Sequence, residues 1–215
     1  MGYRKVALKT GCFYHVFTRS IAGFEVFRYR EEYQRMVDVF RFYQHERLGV
    51  RFSKRTGANT QNLAGVKIGL PYVRFIAYCI MPTHVHFILE QVTEDGISEF
   101  MRLVLNSYAR YFNEKSSRKG PLWESRFENR LVETDEYALH LSRYIHLNPV
   151  SAGLVAHPED WEFSSYLEYL GQGRGAPLCE FKKVIALSPE FYRKFTEDRS
   201  DHQRALQILK AHLID

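Results

Sequence analysis

The stretch MPTHVHFILE (81–90), preceded by the apolar run YVRFIAYCI (72–80), carries the strongest structural signal in the sequence. Both runs have the composition of β-strands, and the residues between them can form a hairpin turn. Side chains two residues apart in a strand point the same way, so His84 and His86 share one face. The valine and phenylalanine that alternate with them point into the core. We therefore predict strands at 72–80 and 84–90, with two imidazoles on the face away from the core.

The composition is that of one globular domain with a basic surface. The chain has 215 residues, of which 45% are hydrophobic and 26% charged, enough to bury a substantial core. Lys and Arg total 30 against 25 Asp and Glu, giving a net charge of +5. This balance favours a polyanionic partner only modestly, because many basic proteins bind nothing anionic.

The cysteines and the N-terminus indicate the compartment. Cys12, Cys79 and Cys179 are scattered, form no CxxC pair and give no disulfide framework, which is typical of a reducing environment. The first residues lack the apolar segment of a signal peptide, and no stretch approaches the length of a membrane span. We expect a soluble cytoplasmic protein with no membrane partner.

The rest of the chain alternates between strand-like and helix-like patterns. These are a strand at 11–20, a helix from Tyr29 to a stop at Gly49, a surface loop at 51–71, a helix at 97–115, a strand at 128–133, a helix from Thr134 to Pro149 and a short helix at 161–170. The strand–helix–strand–strand–helix–strand order predicts an α+β fold, an antiparallel sheet with helices on one face.

The C-terminal part has a different character. GQGRGAP (171–177) has the composition of a linker, and HQRALQILKAHL (202–213) that of a helix. We predict a main domain at 1–170 and a linker with a helical tail at 171–215.

A second motif, RYIHLNP (143–149), could complete a site begun by the histidines. Two imidazoles on a rigid strand form half of a divalent metal site. Tyr144 and Asn148 are four residues apart and so share one helix face. An amide oxygen is a hard ligand suited to Mg²⁺ or Mn²⁺, and a phenol can act as a nucleophile. The alternative is that Tyr144 packs in the core and Asn148 merely ends the helix.

Three blocks together resemble a known family. MPTHVHFIL, GPLWESRFENRLVETDEYALHLSRYIHLNPVSAGLV and DWEFSSY resemble the single-tyrosine HUH transposases, and most of all their REP-associated (IS200-like) tyrosine transposase branch. The resemblance covers about residues 8 to 170, with the blocks in the family's order. The long block is highly specific, whereas His-x-His alone is not.

The resemblance implies both a fold and a reaction. It implies a ferredoxin-like sheet and a metal-dependent transposase-type nuclease and strand transferase acting on single-stranded, hairpin-flanked DNA. Tyr144 matches the nucleophile that forms a 5′-phosphotyrosine; His84, His86 and Asn148 match the ligands of Mg²⁺ or Mn²⁺. Many relatives have Gln at the last position, and Asn keeps the amide oxygen on a side chain one methylene shorter. Such proteins are monomers or homodimers.

A cluster of basic residues surrounds the turn at 113–130. Its members are Arg110, Lys115, Arg118, Lys119, Arg126 and Arg130. They could follow a DNA backbone, with Trp123 or Phe127 stacking on a base, or they could form a solvated surface.

Other tyrosines and histidines are weaker candidates. Tyr108 and Tyr111 fall on the apolar stripe of their helix, which favours packing, and Tyr137 lies two turns before Tyr144. His140 and His146 are expected to be solvent-facing or packing residues.

Three functions remain open on the sequence. The first is the tyrosine transposase, and the second is a catalytically retired module of the same fold that binds hairpin DNA. The third is a metal phosphodiesterase that activates water. That class needs two His-x-Ser/Thr elements, and His140-Leu141-Ser142 supplies at best one.

Overall fold

The computed structural model describes residues 7–47 and 68–198. The strands are β1 (Phe13–Arg19), β2 (His45–Arg47), β3 (Ile68–Pro71), β4 (Val73–Met81), β5 (His84–Gln91) and β6 (Glu128–Val132). The helices are α1 (Arg30–Tyr43), α2 (Gly96–Lys115), α3 (Asp135–Ser151), α4 (Tyr166–Tyr169) and α5 (Pro189–Glu197).

An antiparallel four-stranded sheet organises the fold, with the strand order β4-β5-β1-β6. With α1 and α2 inserted between its strands, this is the ferredoxin-like arrangement, as predicted. The predicted hairpin is confirmed, since Met81 pairs with His84 across the turn Pro82–Thr83. A separate ribbon pairs β2 with β3.

An aromatic core fills the space between the sheet and the helices α1 and α2. The ring of Phe40 on α1 lies 4.9 Å from that of Phe87 on β5, and Phe100 on α2 lies 5.3 Å from Phe75 on β4. All four side chains are buried. Burying one such side chain stabilises the fold by about 1.5–3 kcal/mol, so this core fixes which face of β5 points inward.

The third helix lies against the opposite face of the sheet. It packs on β4 and β5, and Tyr144 on α3 meets the ring of His86 on that face. Leu141 and Ile145 are fully buried, as their spacing predicts. The prediction of helices on one face therefore holds for α1 and α2, while α3 covers part of the other face.

Two predicted boundaries near α1 are wrong. The helix ends at Tyr43, not at Gly49, because the next residues form β2 and pair with β3. Residues 68–71 were predicted as loop but form β3, since a strand can be stabilised by a partner that local composition does not reveal. The rest of the predicted loop, 51–67, lies outside the described residues.

The ends of α3 are set by Thr134 and by the residues beyond Pro149. The Thr134 side chain accepts a hydrogen bond from the backbone N–H of Tyr137 at 3.1 Å, confirming the predicted N-cap. The predicted stop at Pro149 is wrong, because the helix continues to Ser151. Pro149 removes its own N–H donor, but the N–H of Ala152 still donates to the carbonyl of Asn148 at 2.9 Å and continues the helix.

The described part of the C-terminal tail shares the core of the main domain. The ring of Phe181 stacks on that of Tyr169 at 3.8 Å, and Tyr192 of α5 is buried. The short helix predicted at 161–170 is confined to α4. The predicted helix at 202–213 lies outside the described residues.

A buried polar network ties α3 to the tail and to β4. His146 Nδ1 lies 2.7 Å from the hydroxyl of Tyr192, and its Nε2 lies 2.7 Å from Ser165 Oγ. The Tyr192 hydroxyl also lies 2.9 Å from Ser142 Oγ, and Ser165 Oγ accepts the N–H of Tyr78 at 2.9 Å. Burial lowers the pKa of His146 to about 3, so the imidazole is neutral in the network.

Cys12, Cys79 and Cys179 are all free thiols. Within residues 7–47 and 68–198, every helix is too short or too polar to cross a lipid bilayer.

The network predicts a difference between two buried tyrosines. Tyr192→Phe removes a hydroxyl bonded to His146 and Ser142, and we expect it to lower the free energy of unfolding by about 1–3 kcal/mol, because buried polar groups lose their partners. Tyr166→Phe is the matched control, since the buried Tyr166 hydroxyl makes no hydrogen bond within the described residues. Urea denaturation of the two variants should show a loss only for the first. Equal effects would contradict the role assigned to the network.

Candidate functional site

The two histidines of β5 form the centre of the candidate site. Their ring centroids are 5.0 Å apart and the ring planes are perpendicular. His86 is buried and His84 is half-buried. The prediction that both imidazoles share the face opposite the aromatic core is confirmed, because Val85 and Phe87 are buried on the other side.

Burial keeps both imidazoles neutral. Desolvation, with a smaller contribution from the positive charge of Arg19, lowers the pKa of His84 to about 4. Desolvation also holds the pKa of His86 well below its ordinary value. At neutral pH each ring therefore offers an unprotonated nitrogen, as a metal ligand must.

Each imidazole has one nitrogen already engaged. His84 Nδ1 lies 2.9 Å from Thr83 Oγ1, and His86 Nδ1 lies 3.0 Å from Nε2 of His15 on β1. Neither partner was predicted from the sequence. Thr83 immediately precedes the histidine pair, so its position was a usable signal. His15 is 71 residues away and is brought near only by the register of β1 on β5.

Helix α3 delivers Tyr144 to the histidines of the same chain. The Tyr144 ring centroid lies 5.9 Å from that of His86, with the planes at 81°. Burial raises the pKa of the half-buried phenol, and the positive charge of Arg19 opposes that increase. The structure therefore brings together three of the predicted site residues, with an added cation beside them.

Asn148 lies one helical turn after Tyr144, as predicted. The residue is half-buried, and its side-chain Nδ2 is buried with no hydrogen-bond partner in the described part of the chain. Within the described residues, no hydrogen bond to Nδ2 fixes the orientation of this amide. Its oxygen is available to an additional ligand.

Two imidazoles and one amide oxygen together could hold a divalent cation. Within the described ranges, no three His, Cys, Asp or Glu side chains are grouped to hold a metal ion, so a third ligand beside the histidines must be of another type. An amide oxygen meets that need and is a ligand that Mg²⁺ and Mn²⁺ accept. Cys79 pairs with His86 across the sheet, but burial raises the pKa of its thiol, which remains protonated and a poor ligand.

Arg19 is a site residue that sequence reasoning missed. It ends β1, is the cross-strand partner of His84 and is exposed. Its carbonyl accepts the N–H of Glu124 at 3.0 Å, which fixes the loop before β6 beside it. No motif marked Arg19, because only the strand register places it at the site.

Several of the predicted DNA-binding cations have partners within the protein, and Arg110 donates to the carbonyl of Asn106 in its own helix at 3.3 Å. Lys115 forms an ion pair with the buried Glu32 of α1 at 2.7 Å. Arg118 donates to Asn113 Oδ1 at 3.1 Å and to the carbonyl of Pro121 at 2.8 Å. The side chains of Lys115 and Arg118 therefore stabilise the end of α2 and the loop that follows it.

The other cations of the cluster are placed differently. Arg110, Lys119 and Arg126 are exposed. Arg130 is the cross-strand partner of His15 and belongs to the histidine face of the sheet. The predicted cluster is therefore spread over the end of α2, the following loop and β6.

Trp123 packs into the protein on one side and lines a groove on the other. Its indole N–H donates to the carbonyl of Leu105 at 3.1 Å, and its ring lies 6.0 Å from that of Tyr108. The groove has a volume of about 560 Å³ and includes Arg102 and Arg126. Phe127, the alternative stacking residue, is buried.

The competing tyrosines have structural roles. The Tyr108 hydroxyl donates to the carbonyl of Val26 at 2.8 Å, and the ring is fully buried. Tyr111 is half-buried on α2, in the helical layer on the far side of the sheet from the histidines. Tyr137 is buried near the start of α3. Tyr144, in contrast, has its ring next to that of His86.

The central part of the chain is similar to a known protein family. The profile of the family described as "Transposase IS200 like" matches residues 62–148, which include His84, His86, Tyr144 and Asn148. Over those residues the chain is similar to the IS200-like transposases. The resemblance inferred from the motifs is thereby confirmed.

Two relatives and one solved structure resemble the chain that carries this IS200-like segment. A Haemophilus influenzae protein assigned as a REP-associated tyrosine transposase is 32% identical over 103 residues, which are 42% of this chain and 57% of that protein. The REP-associated tyrosine transposase of Escherichia coli K12 is 29% identical over 100 residues, covering 45% of this chain and 56% of that protein. The chain thus spans a little over half the length of these relatives.

A REP-associated tyrosine transposase solved bound to a REP hairpin has the same fold. It superposes with a TM-score of 0.56 over 84% of this chain and 95% of that one, at 16% identity. At that identity the likeness concerns the fold, and it extends beyond the IS200-like segment into the C-terminal part of the chain.

Proposed function

We propose that this protein is a transposase-type endonuclease that cleaves and rejoins single-stranded, hairpin-containing DNA through Tyr144. The observation that supports this most is the contact between the Tyr144 ring and His86 within a single chain, at 5.9 Å between centroids. Without this contact, Tyr144 would be an ordinary packed aromatic residue. Its position beside the neutral His86 imidazole, one helical turn before Asn148, suits a nucleophile that attacks a phosphate held at the same site.

The reaction is a transesterification at phosphorus. The Tyr144 oxygen bonds to the scissile phosphorus as the bond from phosphorus to the 3′ oxygen breaks. The phenolic proton leaves to solvent, and the departing 3′ oxygen takes up a proton to become a 3′-OH. The resulting 5′-phosphotyrosine retains the energy of the original ester, so another 3′-OH can attack it and join the strands without ATP.

A divalent cation fits the residues at this site. His84, His86 and Asn148 would hold it through two ring nitrogens and an amide oxygen. When bound, Mg²⁺ or Mn²⁺ neutralises charge on the scissile phosphate and orients it for in-line attack.

Arg19 supplies a fixed positive charge at the same place. It acts on His84 and on the Tyr144 phenol, where it opposes the rise in pKa that burial causes. A guanidinium at this position favours the phenolate over the phenol and can donate hydrogen bonds to a phosphate.

Hairpin DNA is the proposed partner because the relatives are REP-associated transposases and the matched structure is bound to a REP hairpin. The positive net charge and the exposed cations Lys119 and Arg126 are compatible with a phosphate backbone. Trp123 and its groove could receive an unpaired base.

The retired hairpin-binding module remains the second candidate. It shares the fold and the basic surface but requires no chemistry at Tyr144. The presence of all four site residues in one chain favours the enzyme. The phosphodiesterase with activated water has less support, because His140 lies against Phe195 of α5 and not with the His84–His86 pair.

Tyr144→Phe should abolish a covalent protein–DNA adduct. We expect wild-type protein, incubated with end-labelled hairpin DNA and Mg²⁺ or Mn²⁺, to give a slowly migrating band on denaturing gels, and EDTA to remove it. Tyr137→Phe, on the same helix, is the matched control and should keep the band. An adduct in the Tyr144→Phe protein would show that Tyr144 is not the nucleophile. Tight hairpin binding by wild type without any adduct would favour the retired module, and cleavage without an adduct the phosphodiesterase.

Arg19→Ala should slow adduct formation by about 10²–10³-fold, the usual effect of losing one charged donor to a transition state. The control is Arg30→Ala, which removes an exposed cation paired with Glu162 on the surface. Single-turnover rates of adduct formation, measured at saturating DNA, separate this effect from binding. Equal rates for wild type and Arg19→Ala would remove Arg19 from the reaction.

Arg126→Ala should weaken hairpin binding and reduce the slope of log affinity against log salt by about 1, because one phosphate contact releases about one counterion. Arg118→Ala provides the contrast, since its guanidinium is bonded to Asn113 and Pro121. We expect that variant to lower thermal stability with a smaller change of salt slope. Fluorescence anisotropy across a salt series measures both slopes, and an unchanged slope for Arg126→Ala would exclude its contact with phosphate.

A further inference from the structure

The two imidazoles of the site have different hydrogen-bond partners. The partner of His84 is the preceding residue in the chain, and the partner of His86 lies on the neighbouring strand β1. Thr83 Oγ1 lies 2.9 Å from Nδ1 of His84, and His15 Nε2 lies 3.0 Å from Nδ1 of His86. In both rings the engaged nitrogen is Nδ1. In both rings Nε2 is therefore the nitrogen left for a ligand.

We propose that Thr83 and His15 are positioning residues that fix the orientation and tautomer of the two imidazoles, so that both present an unprotonated Nε2 to a divalent cation. The inference rests on the proposed function in taking that cation as the purpose of the site. Metal-binding histidines generally donate their second ring N–H to a nearby acceptor, which sets the tautomer.

The proposal requires one set of hydrogen-bond directions. A neutral imidazole carries one N–H, so an Nε2 that binds metal requires the proton on Nδ1. His84 Nδ1–H then donates to the Thr83 hydroxyl, and His86 Nδ1–H donates to His15 Nε2. In the opposite arrangement His15 would donate to His86, and the proton of His86 would block its Nε2.

The surroundings of His15 make it a rigid support. Its side chain is buried, its ring is nearly parallel to that of His86 with centroids 5.3 Å apart, and Phe17 packs 5.0 Å from it. Phe17 also contacts the His86 ring at 5.8 Å. A rotation of His86 about its side-chain bonds would therefore disturb two packed rings and break a buried hydrogen bond.

Ring ¹⁵N NMR of the metal-free protein tests the tautomers directly, without DNA or activity. We expect His84 and His86 both to carry the proton on Nδ1. Thr83→Val should remove that preference at His84 alone, and His15→Leu at His86 alone. Thr83→Ser and His15→Gln keep an acceptor oxygen and should retain it. His140→Leu, on α3, is the matched control and should change neither ring.

Titration with Mn²⁺, followed by electron paramagnetic resonance, gives the second readout. We expect Thr83→Val and His15→Leu each to weaken Mn²⁺ binding by about 10–100-fold, with Thr83→Ser and His15→Gln close to wild type. A purely structural role would lower thermal stability without this pattern. A proton on Nε2 of His86 in the wild type, or unchanged tautomers and Mn²⁺ affinity in Thr83→Val and His15→Leu, would overturn the proposal.

The two proposals can fail separately. If the variants behave as expected but wild type forms no adduct with hairpin DNA, the positioning roles stand and the proposed reaction falls. If wild type forms the Tyr144 adduct while Thr83→Val and His15→Leu leave the tautomers and Mn²⁺ affinity unchanged, the reaction stands and the positioning roles fall.

Discussion

The alternation of side chains along β5 is the constraint on which the rest of this structure depends. Val85 and Phe87 are held against the aromatic core, so His84 and His86 must point the other way. A slip of one residue in the register would exchange the two sets and bury both imidazoles among aromatic rings. The two-residue turn at Pro82–Thr83 pins the register at the site itself, because Met81 is paired with His84. The same core packing that stabilises the sheet therefore also orients His84 and His86, the proposed metal ligands.

The candidate site also requires that α3 be fixed against the face of the sheet that carries His84 and His86. Leu141 and Ile145 anchor α3 in the core, and the network around His146 connects it to α5 and to β4. A neutral, buried histidine is well suited to this task, since it can bond on both nitrogens at once. The segment predicted as a linker with a helical tail thus contributes to the placement of Tyr144. Its described part is a support of the α3 helix as well as a continuation of the core.

Local patterns in the sequence were sufficient for most of the elements and for the placement of the four candidate site residues His84, His86, Tyr144 and Asn148. The strands β4 and β5, the helices α2 and α3 and the shared face of His84 and His86 follow from periodicity. Helical spacing placed Tyr144 and Asn148 on one face, and the family blocks suggested their roles. The missed residues depend on long-range geometry. His15 and Arg19 reach the site only through the pairing of β1 with β5. Tyr192 reaches His146 only through the docking of α5. The end of α1 was misplaced because β2 exists only by virtue of its pairing with β3.

The approach of Tyr144 to histidines of its own chain has a consequence for stoichiometry. One phenol can hold one DNA end at a time. Under the proposed reaction, a single copy of the protein must therefore release its first DNA end before it can form a covalent bond to a second. A reaction that keeps two DNA ends covalently attached at the same time needs two copies of the protein, each with a complete site. The number of attached ends would then equal the number of chains assembled on the DNA.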